Sequence, residues 1–364
     1  MSSHWGNHLH LSVFGQSHGP AIGVTVDGLP AGFPIDREAL SAFLARRGPG
    51  RSHLTTPRGE RDEVQFLSGL KGDVTCGAPL AAVIENRDTR SGDYAQLSDL
   101  PRPGHADWTA QIKYKGYQDV AGGGHFSGRL TAPLCIAGGI CRQMLGSCGI
   151  SVYAHLLGVG AVSDRVFDPM GETGLERLEA MPLPTLEISA AAHMERVIVA
   201  AHQAGDSVGG VVECMVQGFP AGLGGALFGG LESRLASILF AVPGVKGVEF
   251  GAGFSAARMT GGEHNDSFVA EGGQVKTASN RHGGILGGIS TGMPLVLRAA
   301  FKPTPSIAKP QDSVRLSTGE AEQLHLRGRH DPCIAVRAVP VVEAAAAIAL
   351  MDVWLEENGR GVWI

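Results

Sequence analysis

An internal repeat constrains the fold of this chain more than any other feature of its sequence. The segment 22–32 (IGVTVDGLPAG) resembles the segment 212–222 (VECMVQGFPAG), and each joins alternating apolar residues to a Gly-x-Pro-Ala-Gly turn. Alternation with a period of two predicts a strand before each turn. A helix is predicted after each turn, the first capped by Asp36 and carrying Leu40, Phe43 and Leu44, the second carrying Leu231, Leu235, Ile238 and Leu239.

The similarity between the two halves continues along the chain in the same order. Residues 59–63 (GERDE) resemble 262–266 (GEHND), and residues 74–80 (VTCGAPL) resemble 289–295 (ISTGMPL). The last pair opens an apolar strand in both halves. Short matches of this kind arise by chance when they stand alone, but their shared order indicates a duplication.

A further match completes the repeat and leads to a predicted fold. Arg129 and Arg337 each stand shortly before a proline and an Ala-rich helix. Runs of strands without strict βαβ alternation predict an α+β fold with pseudo-two-fold symmetry, in which antiparallel sheets pack on helices. A seam between duplicated halves is a natural place for a ligand cleft. We predict a single domain over residues 1–364, with halves at about 10–150 and 196–360 and an insertion at about 158–192.

The composition argues against several classes of protein. The net charge is −5 and charged residues make up 18% of the chain, whereas a nucleic-acid surface needs a surplus of Lys and Arg. The apolar stretch 341–355 is interrupted by Glu343 and Asp352, so it predicts a buried helix rather than a membrane span. The N-terminal segment lacks the basic and apolar stretches of a signal peptide. We expect a cytoplasmic protein that contacts neither nucleic acid nor membrane.

Glycine and cysteine usage narrow the kind of site. The chain has 53 glycines in 364 residues, about twice the average usage, which indicates many tight turns or backbone that approaches a ligand closely. The six cysteines form no CxxC pair, and no His, Cys or Asp cluster has the spacing of metal ligands. We therefore expect no metal.

Two loops present histidines between glycines and prolines. In 14–20 (FGQSHGP), Ser17 and His18 are flanked by glycines, and in 100–108 (LPRPGHADW) two prolines stiffen the loop that holds His105. Histidine is the side chain best matched to proton transfer near neutral pH. The structural alternatives are a hydrogen-bonded turn histidine for the first loop and a solvated loop for the second.

Glycine-rich and cationic segments predict an anionic ligand. In 122–129 (GGGHFSGR), three glycines precede a predicted helix start, where backbone N–H groups can cradle a phosphate or carboxylate. This segment is neither a dinucleotide fingerprint nor a P-loop. Arg47 and Arg51 continue from a predicted helix into a Gly-Pro-Gly loop, and the alternative is cations that complement the helix dipole. In 302–306 (KPTPS), prolines hold Lys302 near two hydroxyl groups.

Together these residues predict an enzyme that acts on a phosphorylated or carboxylated small molecule. The separated histidines and Asp331 add proton-transfer groups to the cationic set. Residue chemistry leaves the reaction open.

The same segments resemble the chorismate synthase family nearly end to end. The matching stretches are FGQSHG (14–19), RRGPGRS (46–52), RPGHADW (102–108), GGGHFSGR (122–129), GGILGGISTGMPL (283–295), KPTPSI (302–307) and GRHDPCIAVRAVPVVEA (328–344). The resemblance implies a β-α-β sandwich, a homotetramer, and conversion of 5-enolpyruvylshikimate 3-phosphate to chorismate by anti-1,4-elimination of phosphate and a C6 proton. Members of the family need reduced FMN although the reaction has no net redox change.

The resemblance also implies a role for each matching residue. His18 resembles the histidine that protonates the departing phosphate, His105 the one that protonates reduced flavin, and Asp331 the carboxylate that assists removal of the C6 proton. The implied substrate-anion ligands are Ser17, Arg47, Arg129 and Arg337. The implied FMN contacts are His125, Phe126, Ser127, Glu263, His264, Gly287, Lys302, Pro303, Thr304, Pro305, Ser306 and Arg329.

The chain departs from the family pattern where the resemblance implies an NADPH contact. Arg47 and His53 are the matching positions, and His53 stands where the family often has Arg. This substitution favours NADPH as an indirect reductant only, with a separate flavin reductase as a partner. Two rival functions are an NADPH-consuming flavin oxidoreductase that acts on an anionic substrate and a non-catalytic binding protein. The missing dinucleotide fingerprint argues against the first, and the presence of His18, His105 and Asp331 argues against the second.

Overall fold

Two antiparallel sheets with the same strand order enclose a layer of helices. The computed structural model describes residues 3–50, 54, 62–87, 96–326 and 330–359. The strands are β1 (His4–Trp5), β2 (His10–Gly15), β3 (Ala21–Asp27), β4 (Gln65–Ser68), β5 (Leu70–Lys71), β6 (Val74–Thr75), β7 (Leu80–Glu85), β8 (Ser151–Val159), β9 (Val162–Ser163), β10 (Gly210–Gln217), β11 (Val245–Phe250), β12 (Phe268–Glu271), β13 (Gln274–Thr277), β14 (Ile285–Leu286), β15 (Ile289–Ser290), β16 (Leu295–Phe301), β17 (Gln311–Val314) and β18 (Ala321–Leu324).

The helices carry most of the long apolar runs of the sequence. They are α1 (Arg37–Arg47), α2 (Asp107–Tyr114), α3 (Thr131–Ser147), α4 (Arg177–Ala180), α5 (Ile188–Gln203), α6 (Leu231–Ala241), α7 (Gly261–His264) and α8 (Ala335–Asn358). Short 3-10 turns lie at Ala121–Phe126, Gly128–Leu130, Leu227–Gly229 and Gly253–Arg258.

The strand order confirms the predicted duplication. The first sheet has the order β1-β2-β3-β7-β4 and the second β9-β8-β10-β16-β11, with antiparallel pairing throughout. Strands β2, β3, β7 and β4 therefore correspond to β8, β10, β16 and β11. The exact limits of the halves and of the insertion stay a prediction.

Equivalent hydroxyl groups hold the Gly-x-Pro-Ala-Gly turn in each half. The Thr75 hydroxyl donates to the carbonyl of Pro30 and accepts from the N–H of Phe33, at 2.6 and 2.9 Å. The Ser290 hydroxyl likewise donates to Pro220 O and accepts from Leu223 N, at 2.5 and 2.9 Å. The same contact at aligned positions explains why both turns have the same sequence pattern.

The helix layer consists of α1, α3, α6 and α8. Helix α3 packs on β2, β3 and β7 of the first sheet, α8 packs on β8 and β10 of the second, and the two helices contact each other. A side chain at Gly138 of α3 would overlap Ala344 of α8, so these small residues allow the helices a close approach. The predicted α+β sandwich of sheets on helices is confirmed.

Helix α8 is the buried helix predicted from the stretch 341–355. It is the one helix in the described ranges with the length and apolar composition of a membrane span. Its residues are nearly all buried between the two sheets. It is therefore a core helix of this fold.

A buried ion pair joins α1 to α8 across this core. Arg46 donates two hydrogen bonds to the Glu343 carboxylate, at 2.6 and 2.8 Å, and Glu343 also accepts from the backbone N–H of Ala154 in β8. Burial lowers the pKa of Arg46, but the charge and hydrogen bonds of Glu343, together with the charge of Glu179, outweigh burial, and the net pKa is raised. Each charge depends on its partner because water cannot replace it at this depth.

The segment between β8 and β10 is held by a second buried network. The ring nitrogens of His155 lie 3.2 Å from Asp164 and 2.9 Å from Glu213, and Glu213 also accepts from Phe167 N. Burial lowers the pKa of His155 while these two carboxylates raise it, and the net pKa is raised. The network fixes the segment that contains β9 to the face of the second sheet.

We expect Glu343→Ala to lower the free energy of unfolding by about 3–5 kcal/mol, because it leaves the Arg46 charge buried without its carboxylate. Asp73→Ala is the matched control, since Asp73 pairs with Arg37 at 2.8 Å on the surface. It should cost less than about 1 kcal/mol. Urea unfolding measures both, and equal losses would contradict the assignment of Arg46–Glu343 as a core pair.

Candidate active site

A large cleft lies where the loops of both halves meet. Its volume is about 1350 Å³, which exceeds the range of about 300–1000 Å³ typical for one small ligand. The residues predicted from the sequence that line it are Ser17, Arg47, His105, His125, Phe126, Ser127, Arg129, Lys302, Pro303, Thr304, Pro305, Ser306, Asp331 and Arg337.

The glycine run brings His18 and His105 to the same stretch of backbone. Gly122, which lines the cleft, has φ of +60°, and a Cβ atom on it would overlap Nδ1 of His18. A Cβ on Gly123 (φ of +84°) would lie 3.1 Å from Nε2 of His105. The two histidines thus pack on successive residues that tolerate a left-handed backbone only as glycine. This packing explains the glycines that the sequence suggested were an anion cradle.

Hydrogen bonds attach the Ser17–His18 turn to the rest of the site. The N–H of Ser17 donates to Gly124 O at 3.1 Å. The side-chain amide of Asn86 donates to Gln16 O and Gly19 O, and its oxygen accepts from Nε of Arg129 at 3.2 Å. Asn86 therefore couples the position of the turn to that of a cleft arginine.

His105 lies in a loop held by a buried arginine. Nδ1 of His105 is 2.6 Å from the carboxylate of Asp107, which receives two side-chain hydrogen bonds from Arg102, at 2.7 and 2.8 Å. Burial raises the pKa of Asp107, but the hydrogen bonds and charges of Arg102 and His105 lower it by more. The net pKa is therefore below its ordinary value. Asp107 is thus an anion at neutral pH.

Two of the predicted anion ligands share one internal carboxylate. Asp62 accepts from Arg47 at 2.7 Å and from Arg129. Burial raises the pKa of Asp62 while the two guanidinium charges lower it, and the net pKa is lowered. Arg47 also donates to Thr131 Oγ1 at 3.0 Å. The arginines are therefore held in place before a ligand binds.

Asp331 and Arg337 form an ion pair that lies beside Arg47 in the cleft wall. Arg337 donates to Oδ2 of Asp331 at 2.6 Å and to the backbone carbonyl of Arg47 at 2.9 Å. The second contact joins the start of α8 to the end of α1. It places Arg337 and Arg47, one from each predicted half, side by side.

The 302–306 loop closes the site against the loop of His105. Lys302 donates to Gly104 O, Thr304 donates to Asp331 O at 2.9 Å, and Ser306 Oγ accepts from Arg102 at 3.1 Å. Burial and then the charge of Lys246 lower the pKa of Lys302. An anion bound near these lysines would relieve their repulsion.

The residues after the glycine run form an exposed edge of the cleft. His125 lies 2.8 Å from Gly15 O and 2.7 Å from Ser3 Oγ through its two ring nitrogens. The Phe126 ring packs 6.3 Å from that of Tyr114, and Ser127 Oγ accepts from Arg129 N at 3.3 Å. Phe126 and Tyr114 supply flat apolar surface.

The cleft can bind several negative charges and transfer protons beside them. In the described part of the chain, four arginines and three lysines line it, His105 and Asp331 line it as well, and His18 packs against Gly122 of its wall. No group of three or more His, Cys, Asp or Glu residues that could hold a metal ion occurs within the described ranges.

Comparison with known proteins agrees with the sequence motifs. The family model for chorismate synthase matches residues 9–355. The chain is 44% identical to the chorismate synthase of Korarchaeum cryptofilum over 350 residues, which cover 96% of each chain. It is 47% identical to that of Thermococcus kodakarensis over 347 residues, or 95% of this chain and 96% of the relative. The chain belongs to the chorismate synthase family.

The fold leads to the same family. A crystal structure of chorismate synthase superposes with a TM-score of 0.76 at 26% identity, and the match covers 98% of this chain and 94% of that one. The sandwich, the duplication and the cleft are thus features of a chorismate synthase fold.

Four described residues with roles implied by the family resemblance are not among those that line this cleft: His18, which packs against Gly122 of its wall, and Glu263, His264 and Gly287. Glu263 turns back to accept from the N–H and hydroxyl of Thr260 in the capping box of α7, and His264 packs on the ring of His282. Gly287 lies in the exposed turn between β14 and β15. Glu263, His264 and Gly287 are not among the cleft-lining residues, and their assignment as FMN contacts stays a prediction. His53 and Arg329 lie outside the described residues.

Other residues that the sequence analysis did not single out line the cleft. The stretch 240–246 lines the cleft beside Lys302, whose N–H donates to Gly244 O at 2.9 Å. A β-bulge between β11 and β16 occurs at Lys246, and such bulges re-aim side chains. Nothing in the local sequence signals that bulge. Asp62 could have been found, because it belongs to the repeated 59–63 segment.

We expect Gly122→Ala to lower the free energy of unfolding by about 3 kcal/mol, since the methyl group adds a clash with His18 to the cost of a left-handed backbone. Gly272→Ala is the matched control: Gly272 has φ of +58° and open space around it. It should cost about 1 kcal/mol. If urea unfolding gives the two variants the same loss, Gly122 does not pack against His18.

Proposed function

We propose that this chain catalyses the chorismate synthase reaction, the anti-1,4-elimination of phosphate and the C6 proton from 5-enolpyruvylshikimate 3-phosphate, with reduced FMN and no net redox change. The observation that carries the proposal is the convergence of Arg47, Arg129, Arg337 and His105 at one cleft, with His18 packed against Gly122 of its wall. Family membership supports the same reaction. The enzyme is then a carbon–oxygen lyase that acts on a phosphate ester.

The arginines match the charge of this substrate. A phosphate and two carboxylates need several cations, and guanidinium groups hold such oxyanions in paired hydrogen bonds. Asp62 already orients Arg47 and Arg129, so less ordering is needed on binding. These arginines stabilise the negative charge that develops on the leaving phosphate, and this stabilisation lowers the barrier.

The proton-transfer groups flank the anion site. His18 follows Ser17 and packs against Gly122 of the cleft wall, and we assign it the protonation of the departing phosphate. His105 lies beside Gly123 as the proposed proton-exchange group toward the flavin, and Asp331, held by Arg337, is the carboxylate proposed to help remove the C6 proton. Each role requires only a group that can exchange one proton near neutral pH.

The size and lining of the cleft support the proposal that reduced FMN binds beside the substrate. Its volume leaves room for two ligands, and one edge combines the flat surface of Phe126 and Tyr114 with the cations Lys302 and Lys246. We propose that His125, Phe126, Ser127 and residues 302–306 contact the cofactor. When bound, reduced FMN lends electron density to the substrate transiently.

The remaining aspects of the proposal concern the cell. We propose a cytoplasmic homotetramer that acts in aromatic amino-acid biosynthesis and receives FMN reduced by a separate flavin reductase. His53 in place of a family arginine supports that partner, with NADPH as its reductant.

We expect the purified protein to release phosphate from 5-enolpyruvylshikimate 3-phosphate in the absence of oxygen, when FMN and dithionite are supplied. Phosphate and chorismate should appear in equal amounts, and NADPH without a reductase should not replace dithionite. Tight substrate binding without phosphate release would overturn the proposal. Oxidation of one NADPH for each product would support the oxidoreductase instead.

We expect His105→Ala to reduce turnover by about 10²- to 10⁴-fold, the range for loss of a proton-transfer group, and to change FMN affinity little. His193→Ala is the control, because His193 is exposed on α5. Steady-state phosphate release and flavin fluorescence titration measure the two quantities. An equal loss of turnover and of FMN affinity would make His105 a binding residue.

A further inference from the structure

Asp107 lies at the centre of a buried network behind the cleft wall. Its carboxylate lies 2.6 Å from Nδ1 of His105. It also accepts hydrogen bonds from Nε, Nη2 and the backbone N–H of Arg102, at 2.7, 2.8 and 3.0 Å. The side chains of Arg102 and Asp107 are each only 4% exposed. Arg102 also donates to Ser306, which ties the network to the 302–306 loop.

The contacts decide which ring nitrogen of His105 carries the proton. Nδ1 has two neighbours, the Asp107 oxygen Oδ1 at 2.6 Å and Nη2 of Arg102 at 3.0 Å. Asp107 is an anion and accepts only, so the shorter contact requires hydrogen on Nδ1. A protonated Nδ1 cannot accept from Arg102, which keeps its bonds to the carboxylate. Nε2, on the side of Gly123, then has the lone pair.

We propose that Asp107 is a positioning residue for His105: it holds the neutral imidazole of this cleft-lining residue with hydrogen on Nδ1 and the Nε2 lone pair on the side of Gly123, so that Nε2 gains and returns the proton. This inference rests on the proposed function for its consequence, but the tautomer itself does not. Arg102 acts one step further away, because it fixes both oxygens of Asp107.

The network predicts what an amide would do at this position. On the Oδ2 side, an amide nitrogen would face Nε–H and the backbone N–H of Arg102, both of which are donors. On the Oδ1 side it would face one arginine donor and His105. The second orientation opposes fewer pairs of donors. It becomes favourable when Nδ1 of His105 loses its hydrogen and accepts a hydrogen bond from the amide nitrogen. Asp107→Asn should therefore shift the hydrogen of His105 from Nδ1 to Nε2.

Neutron diffraction tests the tautomer without an activity measurement. Crystals of the deuterated wild-type protein at about pH 9, well above the ordinary histidine pKa, should show deuterium on Nδ1 of His105. Crystals of Asp107→Asn should show it on Nε2. Deuterium on Nε2 in the wild type would overturn the proposal, whether or not the chain has the proposed activity.

A double-mutant cycle tests the consequence for turnover. Asp107→Asn should lower phosphate release by about 10- to 10³-fold with FMN affinity retained, and it should add less than about twofold in the His105→Ala background, because the two residues act as one unit. Asp73→Asn removes the same charge on the surface and should change nothing. Full additivity of the two substitutions would overturn the role through His105. If the wild type releases no phosphate, the proposed function fails and the diffraction result still decides the tautomer.

Discussion

The burial of α8 between two equivalent sheets is the constraint on which the rest of the structure depends. An Ala-rich helix that is apolar on every side must be covered on every side, and a single sheet covers only one face. The duplication supplies the second sheet. The same helix begins at Ala335, next to the cleft, so its first turns carry Arg337 into the site while Glu343 anchors its middle to α1. Core and site are therefore parts of one element.

The charges of the site follow from the cost of burial. Without a ligand, arginines in the wall of a cleft are poorly solvated, and an unpaired charge there is costly. Carboxylates of the same chain pair with these arginines and offset that cost. Asp62 forms ion pairs with Arg47 and Arg129. Asp331 pairs with Arg337, and Asp107 pairs with Arg102. These pairs leave the cleft cationic and keep each guanidinium group oriented. The same arrangement places a carboxylate next to a histidine at His105.

Local sequence patterns predicted the elements well because their causes are local. Strand alternation before the Gly-x-Pro-Ala-Gly turns, the Asp36 cap and the apolar run of α8 all depend on residues within a few positions of each other. Glu263 and Gly287 show the opposite case. Motif resemblance implied FMN contacts for both, and it did not indicate the capping box and the hairpin turn that hold them.

The sequence by itself determined the duplicated α+β fold, the family and a set of the charged and polar residues that line the cleft, since periodicity, turn chemistry and motif order are properties of the chain. Only the tertiary structure decided which charges meet. Asp62 is far in sequence from Arg129, Gly122 from His18, and Lys246 from Lys302, and their contacts arise when the two sheets close on the helix layer. Contacts across such separations depend on packing of the whole fold, which leaves no signal in the residues beside them.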